Sequence, residues 1–245
     1  SLVRSPQTIA AIFSLPYSTQ FTGSGTSNTS GWSTTGDWVR NNFTKLGGPY
    51  SGTKAYVTNA TANYAVSTLH SLITPYFNTT SLTSVYIGWF QSIKLEPSWD
   101  RSMLEYTLDT GKTWTQVGVL NDPNGINWYA TSTYANAQGS NASPDCWDGD
   151  TWVARHGGVD NVVPPGWTSD GDCGGDDVPT GPFGYIFVQY HFSGASPVLN
   201  KPAVGFRYIA FSDAGGADEG WAVDDFFINT TGNPSTGTID GNVYT

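Results

Sequence analysis

Residues 203–229 read AVGFRYIAFSDAGGADEGWAVDDFFIN, and the fold turns on how this stretch is read. Val204 to Phe211 is apolar and aromatic enough for a strand buried on at least one face. Ser212, Asp213 and the run Ala-Gly-Gly-Ala-Asp-Glu-Gly cannot continue it, which predicts an acidic, glycine-rich turn. Trp221 to Ile228 then returns as a second strand, so the pair reads as a hairpin interrupted by Asp224 and Asp225. Side chains alternate between faces along a strand, so one of these aspartates points inward unless a bulge intervenes. A carboxylate is costly to bury unless a cation or several donors satisfy it, and this points to a bound ion.

Working outward, the whole chain of 245 residues carries the same character. Aromatic residues make up 14% and charged residues only 12%, with 29 glycines and 14 prolines, and no window shows long helical periodicity. That profile predicts one all-β domain with hydroxyl-rich loops, and the aromatic content excludes disorder. The net charge is -10, and the ten Lys and Arg are scattered singly, which excludes nucleic acid as a partner. No hydrophobic run is long enough to span a bilayer, so membrane insertion is not expected. Ser1 in place of an initiator methionine marks a processed product or an excised piece.

Further strands are expected at 15–23, 32–40, 54–58, 70–77, 84–93 and 185–192. Between Met103 and Gly118 lies a clear hairpin, whose turn at 109–112 offers Gly111 for a positive φ. Residues 121–183 form a long loop, a length that is usually functional or tied down. Turn signals every eight to twelve residues suit a two-sheet antiparallel β-sandwich of the jelly-roll type. Residues 1–14 read as an N-terminal segment or linker, 15–230 as the sandwich, and 231–245 as a tail or the start of a following β domain.

Cys146 and Cys173 lie within the long loop and flank a stretch full of Trp, Gly, Asp and Pro; a disulfide is the better reading for a secreted chain, two free buried thiols being the alternative. A zinc site there lacks local partners. Trp128, Trp147, Trp152 and Trp167 are concentrated in the same loop region, where exposed rings would stack sugars. The competing reading, favoured for any single ring, is that they pin the loop onto the sandwich. Sequons occur at Asn28, Asn42, Asn59, Asn78, Asn141 and Asn229, with Asn28, Asn42 and Asn141 the candidates for glycosylation in or near loops.

Several segments recur together in a set order: LPYSTQF, GWST, LEYTLDTGKTWTQVG, DGDTW, VGFRY with a following Ser-Asp, and GWAVDDFFI. Over roughly residues 15–229 this order resembles the MAM-like jelly-roll domains of secreted bacterial proteins. These include the accessory domain of immune-inhibitor-A-type metalloproteases and surface proteins of Bacteroidetes. The resemblance implies a sandwich that assists a larger protein in adhesion, ligand binding or substrate docking, often with structural calcium. It puts Asp224 and Asp225 at the family's metal-associated strand and Asp100 at the matching aspartate after the long strand. Gln20 and Thr22 stand where the family usually has acidic residues around Phe21, which weakens the cation's oxygen supply. The last ten residues resemble the opening strand of a prealbumin-like repeat, whose Ile239, Gly241 and Val243 would suit adding a strand to a neighbouring sheet.

Catalytic patterns are missing from the sequence. None of His70, His156 or His191 lies in a His-Glu-x-x-His pattern, and no Gly-x-Ser-x-Gly occurs. Glu96, Asp100, Glu105 and Glu219 are the acids from which a glycosidase pair would be drawn, a weak signal among 20 acidic residues. The sequence therefore predicts a non-catalytic, extracellular or surface-displayed module of a larger bacterial protein. Its expected partner is a cell-surface or extracellular glycan or protein. Two alternatives stand beside it: a carbohydrate-binding module of a secreted hydrolase, and a filament protomer that joins neighbouring copies by terminal-strand complementation.

Overall fold

The two strands of the deciding stretch do not pair with each other. In the computed structural model, which describes residues 11–21, 29–96, 99–120, 122–129, 147 and 185–232, they belong to opposite sheets. The first, β13 (Gly205–Phe211), lies between β9 (Arg101–Thr107) and β6 (Leu69–Ile73). The second, β14 (Gly220–Asn229), runs against β8 (Ser84–Lys94) on one side and β5 (Ala55–Thr58) and β2 (Tyr17–Thr19) on the other. The expected hairpin is thus an arch, and residues 212–219 carry the chain across the gap of about 10 Å between packed sheets. Both strands are buried along most of their length, so each needs a neighbour on either edge and cannot spend one on the other.

The five-stranded sheet has the order β10-β9-β13-β6-β3, with β10 at Thr115–Gln116 and β3 at Ser33–Thr35. The seven-stranded sheet has the order β11-β12-β8-β14-β5-β4, with β2 also on β14; here β11 is Gly125–Ile126, β12 is Ile186–Ser193 and β4 is Trp38–Asn41. All pairings within these two sheets are antiparallel, and the fold is an all-β two-sheet sandwich. Two expected strands are each broken. Residues 32–40 change sheet between β3 and β4, and 70–77 splits into β6 and β7 (Tyr76–Phe77) at Thr74-Pro75, since proline has no N–H for a ladder. The 103–118 hairpin forms, and Gly111 takes φ 87°.

A short strand β1 (Ile12–Phe13) pairs in parallel with β7. These two form a separate two-stranded sheet, and Phe13 of the 1–14 segment packs against the core of the sandwich. Residues 233–245, with the tail strand, lie outside the described residues.

The core between the sheets is aromatic. Trp89 and Trp221 from the seven-stranded sheet meet Tyr208 from the other, with ring centroids 5.0 and 5.6 Å away in edge-on geometry. Gln91 sits among them, fully buried, and its Oε1 accepts the indole N–H of Trp89 (2.9 Å) and of Trp221 (3.2 Å). A second buried cluster covers the outer side of the seven-stranded sheet, where Phe43 and Leu46 pack with Val57, Phe90, Tyr185 and Ala222. This second layer is why β8 and β14 are buried on both faces.

Candidate metal centre

One foot of the arch brings three carboxylates together. Glu96 and Asp100 follow the end of β8, and Asp213 follows β13; one oxygen from each lies within 4.8 Å of the others. The Asp100 N–H donates to the Glu96 carbonyl (3.0 Å), which ties the backbones of the two acids together. Asp100 is fully buried. Its Oδ2 accepts the Tyr64 hydroxyl (2.5 Å), and its Oδ1 accepts the Asp213 N–H (2.7 Å). Tyr64 in turn accepts the Glu96 N–H (3.0 Å), so one ring ties the strand end to the cluster. Glycine lets the arch approach, since a Cβ on Gly216 would lie 2.6 Å from Glu96 Oε1.

Burial pushes the Asp100 carboxyl up to about 6. The Tyr64 and Asp213 hydrogen bonds oppose that rise, and the nearby Glu96 and Asp213 charges add to it. The Tyr64 hydroxyl is itself raised well above its ordinary value by burial and by its bond to Asp100. Among the described residues, Glu96 Oε2 is buried without a hydrogen-bond partner. Three carboxylates and an unsatisfied oxygen fit a hard divalent cation, which takes oxygen ligands and favours charged ones. Glu96, Asp100 and Asp213 would supply the protein ligands.

The aspartates picked out on β14 are not part of this group. Asp224 pairs with Phe90, four residues along β8 from Lys94 and so about 13 Å from the strand end that Asp100 lies beyond. A bulge between Asp224 and Phe227 settles the alternation question. Asp225 is the extra residue at φ 48°, so Phe226 takes the inward position and neither aspartate enters the core between the sheets. Asp224 lies fully buried in the outer layer, where burial pushes its carboxyl well above the ordinary range. The N–H groups of Ser51 (3.0 Å) and Asp225 (2.9 Å) satisfy it, and Ser51 Oγ donates to Asp225 (2.6 Å). The donors at Asp224 are backbone N–H groups, and at Asp225 a serine hydroxyl.

Two of the four candidate sugar-binding rings are core residues. Trp128 is 8% and Trp147 3% exposed. Trp147 pairs through its backbone with Ser102 and packs on Trp89, Trp128, Tyr129 and Trp221, leaving no free ring face. Both indoles are packed into the core cluster, where a buried ring contributes more area than an exposed one. Trp152, Trp167, Cys146, Cys173, Asn28 and Asn141 lie outside the described residues; Asn42 is exposed. Glu105 is held by Arg207, and Glu219 Oε2 accepts the Leu46 N–H (3.0 Å). Asp213 and Glu96 escaped the sequence reading as ligands. The only local signals were the Ser-Asp that ends β13 and the four-residue spacing from Glu96 to Asp100.

No family model and no curated protein matches the chain. Among solved structures it is similar to the K1 cleaved adhesin domain of Lys-gingipain from Porphyromonas gingivalis W83, at 8% identity and a TM-score of 0.42. The likeness covers 89% of this chain and 99% of that one, and it is too distant to carry a conclusion about function.

Proposed function

We propose that this chain is a non-catalytic, calcium-stabilised β-sandwich module of a larger extracellular or surface-displayed bacterial protein, serving adhesion or extracellular structure. The observation that carries the reading is the carboxylate cluster at the foot of the arch. Asp100 is fully buried and bonds to Tyr64 and to the Asp213 N–H, which supports a structural cation joining the two sheets over a substrate site. A cation there would neutralise three converging charges and take up the orphaned Glu96 oxygen. Extracellular modules of this kind hold calcium with dissociation constants of about 10⁻⁴–10⁻³ M, a concentration met outside cells. The acidic, hydroxyl-rich composition and the resemblance to MAM-like domains support the same setting. The carbohydrate-binding alternative is weakened by the burial of Trp128 and Trp147.

Calorimetric melting in chelator and in calcium tests the reading. At a hundred times the dissociation constant, calcium contributes about 2.7 kcal/mol, roughly 5–10 °C in a domain of this size. Asp100→Asn and Glu96→Gln should abolish the calcium-dependent shift. Identical melting of the unmodified protein in calcium and in chelator would dismiss the site. Adhesion is tested separately, by binding to arrays of glycans and extracellular matrix proteins, and failure there leaves a structural module only.

A further inference from the structure

The other foot of the arch is held by a different cation, one that the chain supplies itself. Lys45 sits in a single 3₁₀ turn (Lys45–Gly47), and its side chain reaches three backbone carbonyls on two segments of the chain. Its Nζ donates to the carbonyls of Thr58 at the end of β5 (2.7 Å), of Ala62 in the following loop (2.8 Å), and of Glu219 just before β14. An ammonium has three N–H donors, and here each has one carbonyl. The Glu219 carboxylate holds the same turn through the Leu46 N–H, and Asp37 and Asp218 add their negative charge. Burial lowers the ammonium to about 8, against the pull of Glu219, Asp37 and Asp218, so it stays charged at neutral pH.

Converging main-chain carbonyls with carboxylates nearby are what a hard metal ion seeks. We infer that this cage is a cation-binding site whose occupant is the tethered Lys45 ammonium, standing where a free metal ion would otherwise bind. The acidic arch is then fixed at the Glu219 end without any dependence on dissolved ions. The inference does not require calcium at the Asp213 end.

The test removes the tether and offers a free cation. Lys45→Ala opens the cage, and Lys45→Met fills it with an apolar stem. In chelator and choline chloride, both variants should melt lower than the unmodified protein by about 5 °C or more. Replacing choline with potassium at equal ionic strength should restore at least about half the loss in Lys45→Ala and none in Lys45→Met. Equal behaviour of Lys45→Ala in the two salts overturns the inference. Should either variant not fold, the unmodified protein decides, through reductive methylation followed residue by residue in mass spectrometry. A caged Lys45 should react roughly tenfold or more slowly than the exposed Lys112, because its amine must first leave the three carbonyls that hold it. Equal rates would mean that the cage does not hold it.

Discussion

Asp109 shows how much one side chain organises. It heads the turn of the β9–β10 hairpin, where Oδ1 accepts the N–H groups of Thr113 (2.9 Å) and Lys112 (3.1 Å) and the Thr107 hydroxyl (2.8 Å), and Oδ2 accepts the Thr113 hydroxyl (2.7 Å). The Thr113 N–H and hydroxyl, then the Thr107 and Lys112 donors, lower its carboxyl to about 2. A folded-state value below the unfolded one stabilises the fold above the unfolded value, near 4, and the contribution is lost as pH falls through about 2. Carbon-detected NMR titration of the Asp109 carboxyl should give a midpoint near 2, and Asp109→Asn should flatten that part of the stability profile. A midpoint near 4 would mean that the turn donors are not engaged in solution. This turn was legible in the sequence because all its parts lie within seven residues. The Glu96–Asp100–Asp213 cluster was not, because Asp213 arrives from a strand of the other sheet and local spacing carries no record of that approach.

Among the elements, β14 carries the most constraint. Its bulge sends Phe226 into the core and lays Phe227 across Gly88 of the neighbouring strand. A Cβ on Gly88 would lie 2.5 Å from the Phe227 ring and 3.1 Å from the Val188 carbonyl. Gly88→Ala should therefore cost about 1–3 kcal/mol in denaturant unfolding, as overpacking usually does. Combining it with Phe227→Leu should recover part of that loss, a coupling that a double-mutant cycle reads directly. Strictly additive losses would show that the ring is free to move aside. The sequence exposed the tension at Asp224 and Asp225 but not its resolution. The alternation rule names the conflict, whereas the extra residue that resolves it is fixed by the register against β8. The same limit applies to β13 and β14: a turn-rich link between two buried strands reads alike as a hairpin or as an arch, and only the partners on each edge distinguish them.

At the scale of the molecule, one indole from the long loop region joins the sheets. Trp147 bonds through its backbone to Ser102 of the five-stranded sheet, and its ring reaches Trp89 and Trp221 of the seven-stranded one. Trp147→Ala should lower stability by about 3–5 kcal/mol, seen as an earlier denaturant midpoint. Unchanged stability, with loss of polysaccharide binding instead, would return the ring to the surface. The strand arrangement has one more consequence. Because β2 runs antiparallel to β14 with Tyr17 opposite Ile228, the start of β2 and the end of β14 lie side by side in the seven-stranded sheet, with these two Cα atoms about 5 Å apart. Tension applied through the two flanking segments would not shear the sheet. Once β1 has left β7, it would open the β2–β14 ladder one rung at a time from the Tyr17–Ile228 end, so that under mechanical load this pair is where the seven-stranded sheet begins to yield.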